Sequence, residues 1–199
     1  MALDAYAPSV RQQIRYADTE NFVGAPIDGY RAARCWLSEP AARALASAEA
    51  EVMGQGLELV VFDCYRPERA VRHFMRWAAD ANDQGTKEYY YPRVSKAELL
   101  SGGYVAERSG HSRGSTVDVT LERPCGNGTV PLDMGTSFDF FDPRSNYSST
   151  EVTPAQWENR RRLRELMERH GFRGYEPEWW HFTLADEPYP NRYFDVPIE

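Results

Sequence analysis

The side chains best suited to chemistry fall into two clusters that lie far apart in the sequence. His111 and Asp118 are seven residues apart in the stretch SGHSRGSTVDVT, and Glu178 precedes His181 by three residues in EWWH. Two imidazoles and one carboxylate form a ligand set typical of zinc hydrolases, which leave a fourth position open for water. A second carboxylate beside that water can accept its proton. The pattern predicts zinc bound by His111, Asp118 and His181, with Glu178 as general base.

Each of these residues alone has a simpler explanation, because a lone histidine is more often a structural polar residue than a ligand. Of the four histidines, His73 and His170 are interpreted as structural or exposed. The other two each have a carboxylate at a short offset, which favours a shared site. An offset of three on a strand would place Glu178 and His181 on opposite faces. We therefore expect a turn or bulge over residues 178–180.

The elements that position these side chains can be predicted from periodicity and caps. Residues 115–121 alternate, so Asp118 projects from the face opposite Val117 and Val119. Apolar runs predict further strands over 57–65 and 179–184. Caps and helical spacing predict helices over 38–53, 67–81, 95–101 and 153–170. Residues 1–36 are expected to be irregular, and residues 122–150 to form a long ordered loop held by Phe138, Phe140 and Phe141.

The composition is that of a globular protein of 199 residues, with 42% hydrophobic and 27% charged residues. We expect a single domain over residues 1–199. The net charge of −7 argues against a nucleic-acid partner, and no apolar run is long enough to span a membrane. Residues 1–11 lack the pattern of a signal peptide, so a cytoplasmic location is expected, or a periplasmic one if a signal has been removed. The oligomeric state is left open.

The cysteines Cys35, Cys64 and Cys125 form an odd, scattered set without CxxC spacing. They are interpreted as buried or idle thiols in a reducing compartment. Arg66 follows the predicted strand over 57–65. It could cap a helix or pair with a surface carboxylate, or it could stabilise the oxyanion of a tetrahedral intermediate; the pattern alone makes it a weak candidate.

Several stretches resemble the D-alanyl-D-alanine dipeptidases, VanX-type enzymes within the wider group of zinc D-Ala-D-Ala peptidases. The resemblance is carried by SGHSRGSTVDVTL, DCYRPERAV and PEWWHF, and it extends to IRYADTENFVGAPIDGY, FDFFDPRS and DEPYPNRYFDVP, so it spans nearly the whole chain. The group's pattern SxHxxGxAxD is matched at Ser109, His111, Gly114 and Asp118, with Thr116 where alanine is usual. Two further departures are Cys64, where glycine is common, and the segment 122–130 at the expected pocket rim.

The resemblance implies one zinc ion per chain held by the ligand set above, Glu178 as base and Arg66 as the group that stabilises the transition state. It also implies that Ser109, Tyr16 and Asp139 lie near a dipeptide, with Asp139 holding the substrate ammonium. The implied fold is α+β, a small, mainly antiparallel sheet flanked by helices, as in the hedgehog-like fold of these peptidases.

The predicted reaction is zinc-dependent hydrolysis of D-Ala-D-Ala to two D-alanines. Two alternatives remain. One is a zinc D,D-carboxypeptidase acting on longer peptidoglycan peptides, against which Asp139 argues. The other is a non-catalytic zinc-binding module, against which Glu178 and Arg66 argue. Antibiotic resistance, recycling of cell-wall D-alanine and secondary metabolism are all compatible biological roles.

Overall fold

The structure, a computed structural model, describes residues 1–126 and 128–199. Within them, a mixed sheet contains six strands: β1 (Arg11–Gln12), β2 (Glu58–Asp63), β3 (Thr116–Cys125), β4 (Gly128–Pro131), β5 (Phe172–Tyr175) and β6 (Glu178–Leu184). The strand order is β1-β2-β3-β6-β5, and β4 pairs with the last part of β3. Only the β1–β2 pair is parallel among these strands. This confirms the predicted α+β class with a mainly antiparallel sheet.

Five α-helices flank the sheet in the described part of the chain: α1 (Glu39–Met53), α2 (Glu68–Ala79), α3 (Lys87–Tyr90), α4 (Lys96–Ser101) and α5 (Pro154–Arg169). Four were predicted, and the short α3 was not. Short 3-10 helices cover Leu3–Ala5, Arg15–Ala17, Gly110–Arg113 and Pro143–Ser145. Helix α5 contacts α1, β5 and β6, whereas α2 packs on α4. No helix of the described residues combines the length and the apolar character needed to cross a membrane.

The caps explain where these helices begin. Ser95 and Thr153 each accept a hydrogen bond from the third helical residue and complete a capping box. Ser38 occupies the N-cap of α1 without capping it, because its hydroxyl is hydrogen-bonded to the Ser115 hydroxyl at 2.7 Å. The start of α1 is thereby tied to the segment that leads into β3.

The expectation of a loop over residues 122–150 is wrong in its first part. β3 continues to Cys125 and pairs with β4, so this segment is a hairpin; Asn127 lies outside the described residues. The polar side chains of this segment do not follow the apolar pattern of a strand. Glu122 is nevertheless buried, because it forms an ion pair with Arg11. The remainder is ordered as expected, since Phe138 stacks on Phe62 with ring centroids 4.9 Å apart.

The interpretation of the cysteines as thiols is wrong for two of the three. Cys35 and Cys64 form a disulfide with their Cα atoms 5.2 Å apart, and Cys125 is free and exposed. The two half-cystines are 29 residues apart in sequence, and only the tertiary fold brings the end of β2 beside residue 35. No local spacing pattern could have shown this pairing.

The strand register gathers the catalytic candidates. Asp63 on β2 pairs with Asp118 on β3, and Asp118 pairs with His181 on β6. The three residues therefore form one row across the sheet. The register of β5 and β6 shifts between the Gly174–Phe182 pair and the Tyr175–Glu178 pair, so residues 179–181 form a bulge in β6. This agrees with the irregularity expected before His181.

Candidate active site

The three predicted ligands converge although they come from separate segments. The Nε2 atom of His111 lies 3.3 Å from Oδ2 of Asp118 and 3.3 Å from Nδ1 of His181. The Nδ1 atom of His181 lies 3.1 Å from Oδ1 of Asp118. His111 belongs to the 3-10 helix before β3, and this helix ends at Gly114, whose φ of 81° suits glycine.

These separations fit a tetrahedral zinc ion. Ligands at about 2.0–2.1 Å from such an ion lie roughly 3.3 Å from one another. Oδ1 of Asp118 is buried, and its nearest polar neighbour is Nδ1 of His181 at 3.1 Å. If that nitrogen presents its lone pair, as a zinc ligand does, the oxygen has no hydrogen-bond donor, which costs free energy unless a cation satisfies it. The donor set is therefore one that Zn²⁺ prefers.

The orientation of His111 is fixed from behind. Its Nδ1 atom lies 2.6 Å from the carbonyl oxygen of Cys64. Because a carbonyl only accepts, Nδ1 must carry the proton and donate it, which leaves the Nε2 lone pair facing Asp118 and His181. Burial lowers the pKa of His111, so the ring is neutral, as a metal ligand must be.

Glu178 lies beside the ligand cluster. One carboxylate oxygen is 3.4 Å from Nδ1 of His181, and the bulge in β6 brings the two side chains to the same side. Burial, together with the charge of Asp118, raises the pKa of Glu178 to about 7. A carboxylate with a raised pKa at this position can accept and release a proton near neutral pH.

Arg66 lies on the other side of the cluster. Its guanidinium is 3.6 Å from Asp118 and donates hydrogen bonds to Asp63 at 2.9 Å and to Ser109 at 3.4 Å. Asp63 also accepts a hydrogen bond from the Tyr30 hydroxyl at 2.6 Å. The guanidinium rests over the Tyr16 ring, 5.0 Å from its centroid. This network gives Arg66 a fixed direction beside the cluster.

Two of the three predicted ligands, Asp118 and His181, line a cavity of about 310 Å³, at the small end of the range for ligand pockets. Of the eight predicted site residues, only the buried His111 does not line the cavity. The seven that do are Glu178, Arg66, Asp118, His181, Ser109, Asp139 and Tyr16. Asp139 is 4% exposed and accepts a hydrogen bond from the Tyr16 hydroxyl at 2.8 Å. Burial and the charge of Asp118 raise the pKa of Asp139 well above its usual value. Asp139 is therefore an acid without a positively charged hydrogen-bond partner, and it could bind a cation that enters the cavity.

The backbone of Asp139 supports a functional role for this position. Among the described residues, it alone combines a positive φ, 59°, with a side chain. This conformation costs free energy for a non-glycine residue, and such residues cluster at binding sites.

Sequence reasoning missed three side chains at this site: Asp63, Tyr30 and Tyr175. Asp63 carried a usable signal, because a carboxylate at the end of an apolar strand needs a buried partner such as the nearby Arg66. The ring of Tyr175 lies 5.4 Å from that of His181 and lines the cavity. Its strand, β5, reads as a turn in the sequence GFRGY, so no pattern indicated it.

Comparison with known proteins assigns the chain to a family. The family model described as D-ala-D-ala dipeptidase, of the M15 peptidases, matches residues 1–199. Three similar relatives are D-alanyl-D-alanine dipeptidases. The protein from Enterococcus faecium is 46% identical over 99% of this chain and 96% of the relative. Those from Enterococcus faecalis and Streptomyces coelicolor are 44% and 42% identical, each over 98% of this chain and 96% of the relative. The chain therefore belongs to the D-ala-D-ala dipeptidase family and is a zinc metallopeptidase.

Proposed function

We propose that this enzyme hydrolyses the D-Ala-D-Ala dipeptide to two D-alanines, with His111, Asp118 and His181 holding one zinc ion. The observation that carries the proposal is the group of three donor atoms within 4.8 Å of one another, in a cavity that also contains Glu178. Bound zinc polarises the scissile carbonyl and lowers the pKa of water.

The side chains of this chain do the remaining work. Glu178 accepts a proton from the attacking water and delivers it to the leaving amine, which its raised pKa permits. Arg66, held by Asp63, donates hydrogen bonds to the oxyanion that develops on the scissile carbonyl. The Ser109 hydroxyl, which accepts a hydrogen bond from Arg66, lies where it can form a hydrogen bond with the dipeptide.

Asp139 provides the preference for a free dipeptide. Its buried carboxylate pairs with the substrate ammonium, and the Tyr16 hydroxyl holds it in place. In an N-acylated or longer peptide, an amide replaces the ammonium at that position. The carboxylate would then be left buried without a partner, which disfavours binding. This argues for a dipeptidase over a D,D-carboxypeptidase.

The test is turnover of D-Ala-D-Ala, N-acetyl-D-Ala-D-Ala and L-Ala-L-Ala by the zinc-loaded protein. We expect hydrolysis of the first and little of the others. Faster hydrolysis of the acetylated substrate would favour the carboxypeptidase instead. Asp139→Asn should raise KM for D-Ala-D-Ala. The ratio of kcat/KM for D-Ala-D-Ala to that for the acetylated substrate should therefore fall.

Glu178→Gln separates an enzyme from a zinc-binding module. The variant keeps the shape of the side chain but cannot accept the proton, so kcat should fall by roughly 10²–10⁴-fold while zinc content is kept. Full activity in this variant would contradict the proposed mechanism.

We expect residues 1–199 to act as one domain.

The cellular location of the enzyme can be argued in two directions. The sequence predicts the cytoplasm, whereas a persistent Cys35–Cys64 disulfide is typical of oxidising compartments. Cell fractionation with the thiols trapped at lysis would decide between them. Recovery from the cytosol with all three thiols reduced would favour the first location.

A further inference from the structure

The Cys35–Cys64 disulfide lies directly behind the proposed metal site. Both half-cystines are 1% exposed. Their segments run side by side, since the Tyr65 amide donates a hydrogen bond to the Trp36 carbonyl at 2.9 Å. The bond therefore links the N-terminal segment, which supplies Tyr16 and Tyr30, to the end of β2.

Residue 64 is the point at which this link meets the site. Its carbonyl accepts the Nδ1–H of His111 at 2.6 Å, so its position sets where Nε2 of that ring points. The ladder between β2 and β3 ends at Asp63, which leaves the following peptide without sheet pairing to β3. The backbone here is held by the Tyr65–Trp36 hydrogen bond and by a 3.3 Å bond from the Arg66 amide to the His111 carbonyl. The Tyr65 hydroxyl is also hydrogen-bonded to the backbone of Val196, and the disulfide is the one covalent link to residue 64 from another segment.

We infer that the Cys35–Cys64 disulfide is a positioning element for the metal site, which keeps the Cys64 carbonyl against His111 and so slows loss of the ion. The inference rests on the proposed zinc site. A dithiol reductant would supply two electrons and two protons, so that the S–S bond breaks, two thiols form and the dithiol becomes a disulfide. After reduction, only non-covalent contacts hold residue 64 against the ring.

The test compares zinc release from four proteins: the oxidised wild type, Cys35→Ala, Cys64→Ala and the double variant. Cys35→Ala removes the bond, leaves residue 64 a cysteine with a free thiol, and changes no residue that lines the cavity. The rate of zinc transfer to a chromophoric chelator is measured at 25 °C on protein shown to be folded by circular dichroism. Removal of groups that orient a metal ligand typically costs 10–100-fold in affinity, so we expect release about tenfold faster.

Two comparisons test whether the effect comes from this bond. The single variants and the double variant should release zinc equally fast, because each lacks the same bond. Cys125→Ala, which removes the exposed free thiol, should match the wild type. Equal release from folded Cys35→Ala and wild type would overturn the inference.

A second measurement covers variants that fail to fold. Wild type is reduced with a dithiol, the reductant is removed without air, and zinc release is compared with that of the oxidised protein. Unchanged release from the folded, reduced protein would overturn the inference. The inference also fails if the native protein, incubated with glutathione disulfide and then denatured, still has three free thiols, because the disulfide has then not formed. If the oxidised wild type binds no zinc at all, the proposed function fails instead.

Discussion

The role proposed for Arg66 depends on the carboxylate that binds it. Asp63 is fully buried and binds both Arg66 and the Tyr30 hydroxyl, so the guanidinium cannot turn away from the ligand cluster. An arginine at the end of a strand is common, and the sequence alone gave it little weight. Its contacts with Asp63, Ser109 and the Tyr16 ring make it a fixed donor beside the proposed reaction centre.

Removal of Arg66 should reduce the rate without removing the metal. Loss of one oxyanion donor costs on the order of 10²–10³-fold in kcat, and we expect Arg66→Ala to fall in this range with zinc content unchanged. Asp63→Asn should lower kcat less, because the guanidinium remains but loses its anchor. Arg162→Ala, at an exposed position on α5, is the matched control, and a similar loss of kcat there would contradict the assignment.

The titration of Glu178 makes a prediction about pH. Burial beside Asp118 raises its pKa from 4.5 to about 7 without a bound ion, and a nearby cation lowers it again. The base must be deprotonated, so kcat/KM should fall as pH falls, with a midpoint between these values. In Glu178→Gln, the residual activity should lack this acidic limb; the same limb in the variant would assign it to another group.

At the scale of elements, the segment that carries Asp139 is held by α5. Arg160 is fully buried and donates hydrogen bonds to the carbonyls of Met134, Asn146 and Arg144 at 2.7, 2.7 and 3.0 Å. Both ends of the segment over residues 134–146 are thereby fixed to one side chain. The neighbours of Arg160 along α5 are also charged, a pattern typical of a solvated helix face, so the sequence does not show that this arginine is buried.

Replacement of Arg160 should loosen that segment. Arg160→Met leaves three carbonyls without their donor, and each buried unsatisfied group costs about 1–3 kcal/mol, so we expect a loss of roughly 3 kcal/mol in the free energy of unfolding. KM for the dipeptide should rise because Asp139 is displaced. Urea unfolding measures the loss of stability, proteolysis between residues 134 and 146 measures the loosening of the segment, and steady-state kinetics measures KM. Arg162→Met should change neither, and an equal effect there would contradict the argument.

The sequence predicts the elements best where local signals are strong. The capping boxes at Ser95 and Thr153 and the alternation around Asp118 need no tertiary context. What it does not show depends on distant partners. β5 and the β3–β4 hairpin lack an apolar pattern, and the disulfide joins segments that only the fold brings together. The candidate site could be predicted because Asp118 and Glu178 each lie close to a histidine in the chain, whereas Asp63 becomes interpretable only beside Arg66.

At the scale of the whole molecule, buried charges make stability depend on pH. Glu49 on α1 is 2% exposed, and its carboxylate accepts a hydrogen bond from the Leu59 amide of β2 at 2.8 Å. Its other oxygen is buried without a partner. Burial raises the pKa of Glu49 above its usual value, so folding favours the protonated acid.

The sign of this effect can be measured. Because the pKa of Glu49 is higher in the folded protein than in the unfolded chain, its protonation stabilises the fold at pH values below 4.5, the ordinary pKa. This stabilisation is lost as the pH rises through the pKa of the folded state. Glu49→Gln should therefore be more stable than the wild type at pH 7, but not at pH 4, in urea unfolding. Glu51→Gln is the contrasting control. Arg169 and His170 lower the pKa of Glu51, so this variant should lose stability at pH 7. A destabilised Glu49→Gln at pH 7 would contradict the account.

The most direct test of the zinc site is X-ray absorption at the zinc edge on protein loaded with one equivalent of the metal. The account predicts only nitrogen and oxygen ligands near 2.0–2.1 Å, with the outer-shell scattering of two imidazoles, reduced to one in His181→Ala. A sulfur ligand near 2.3 Å, or an unchanged spectrum in His181→Ala, would contradict it.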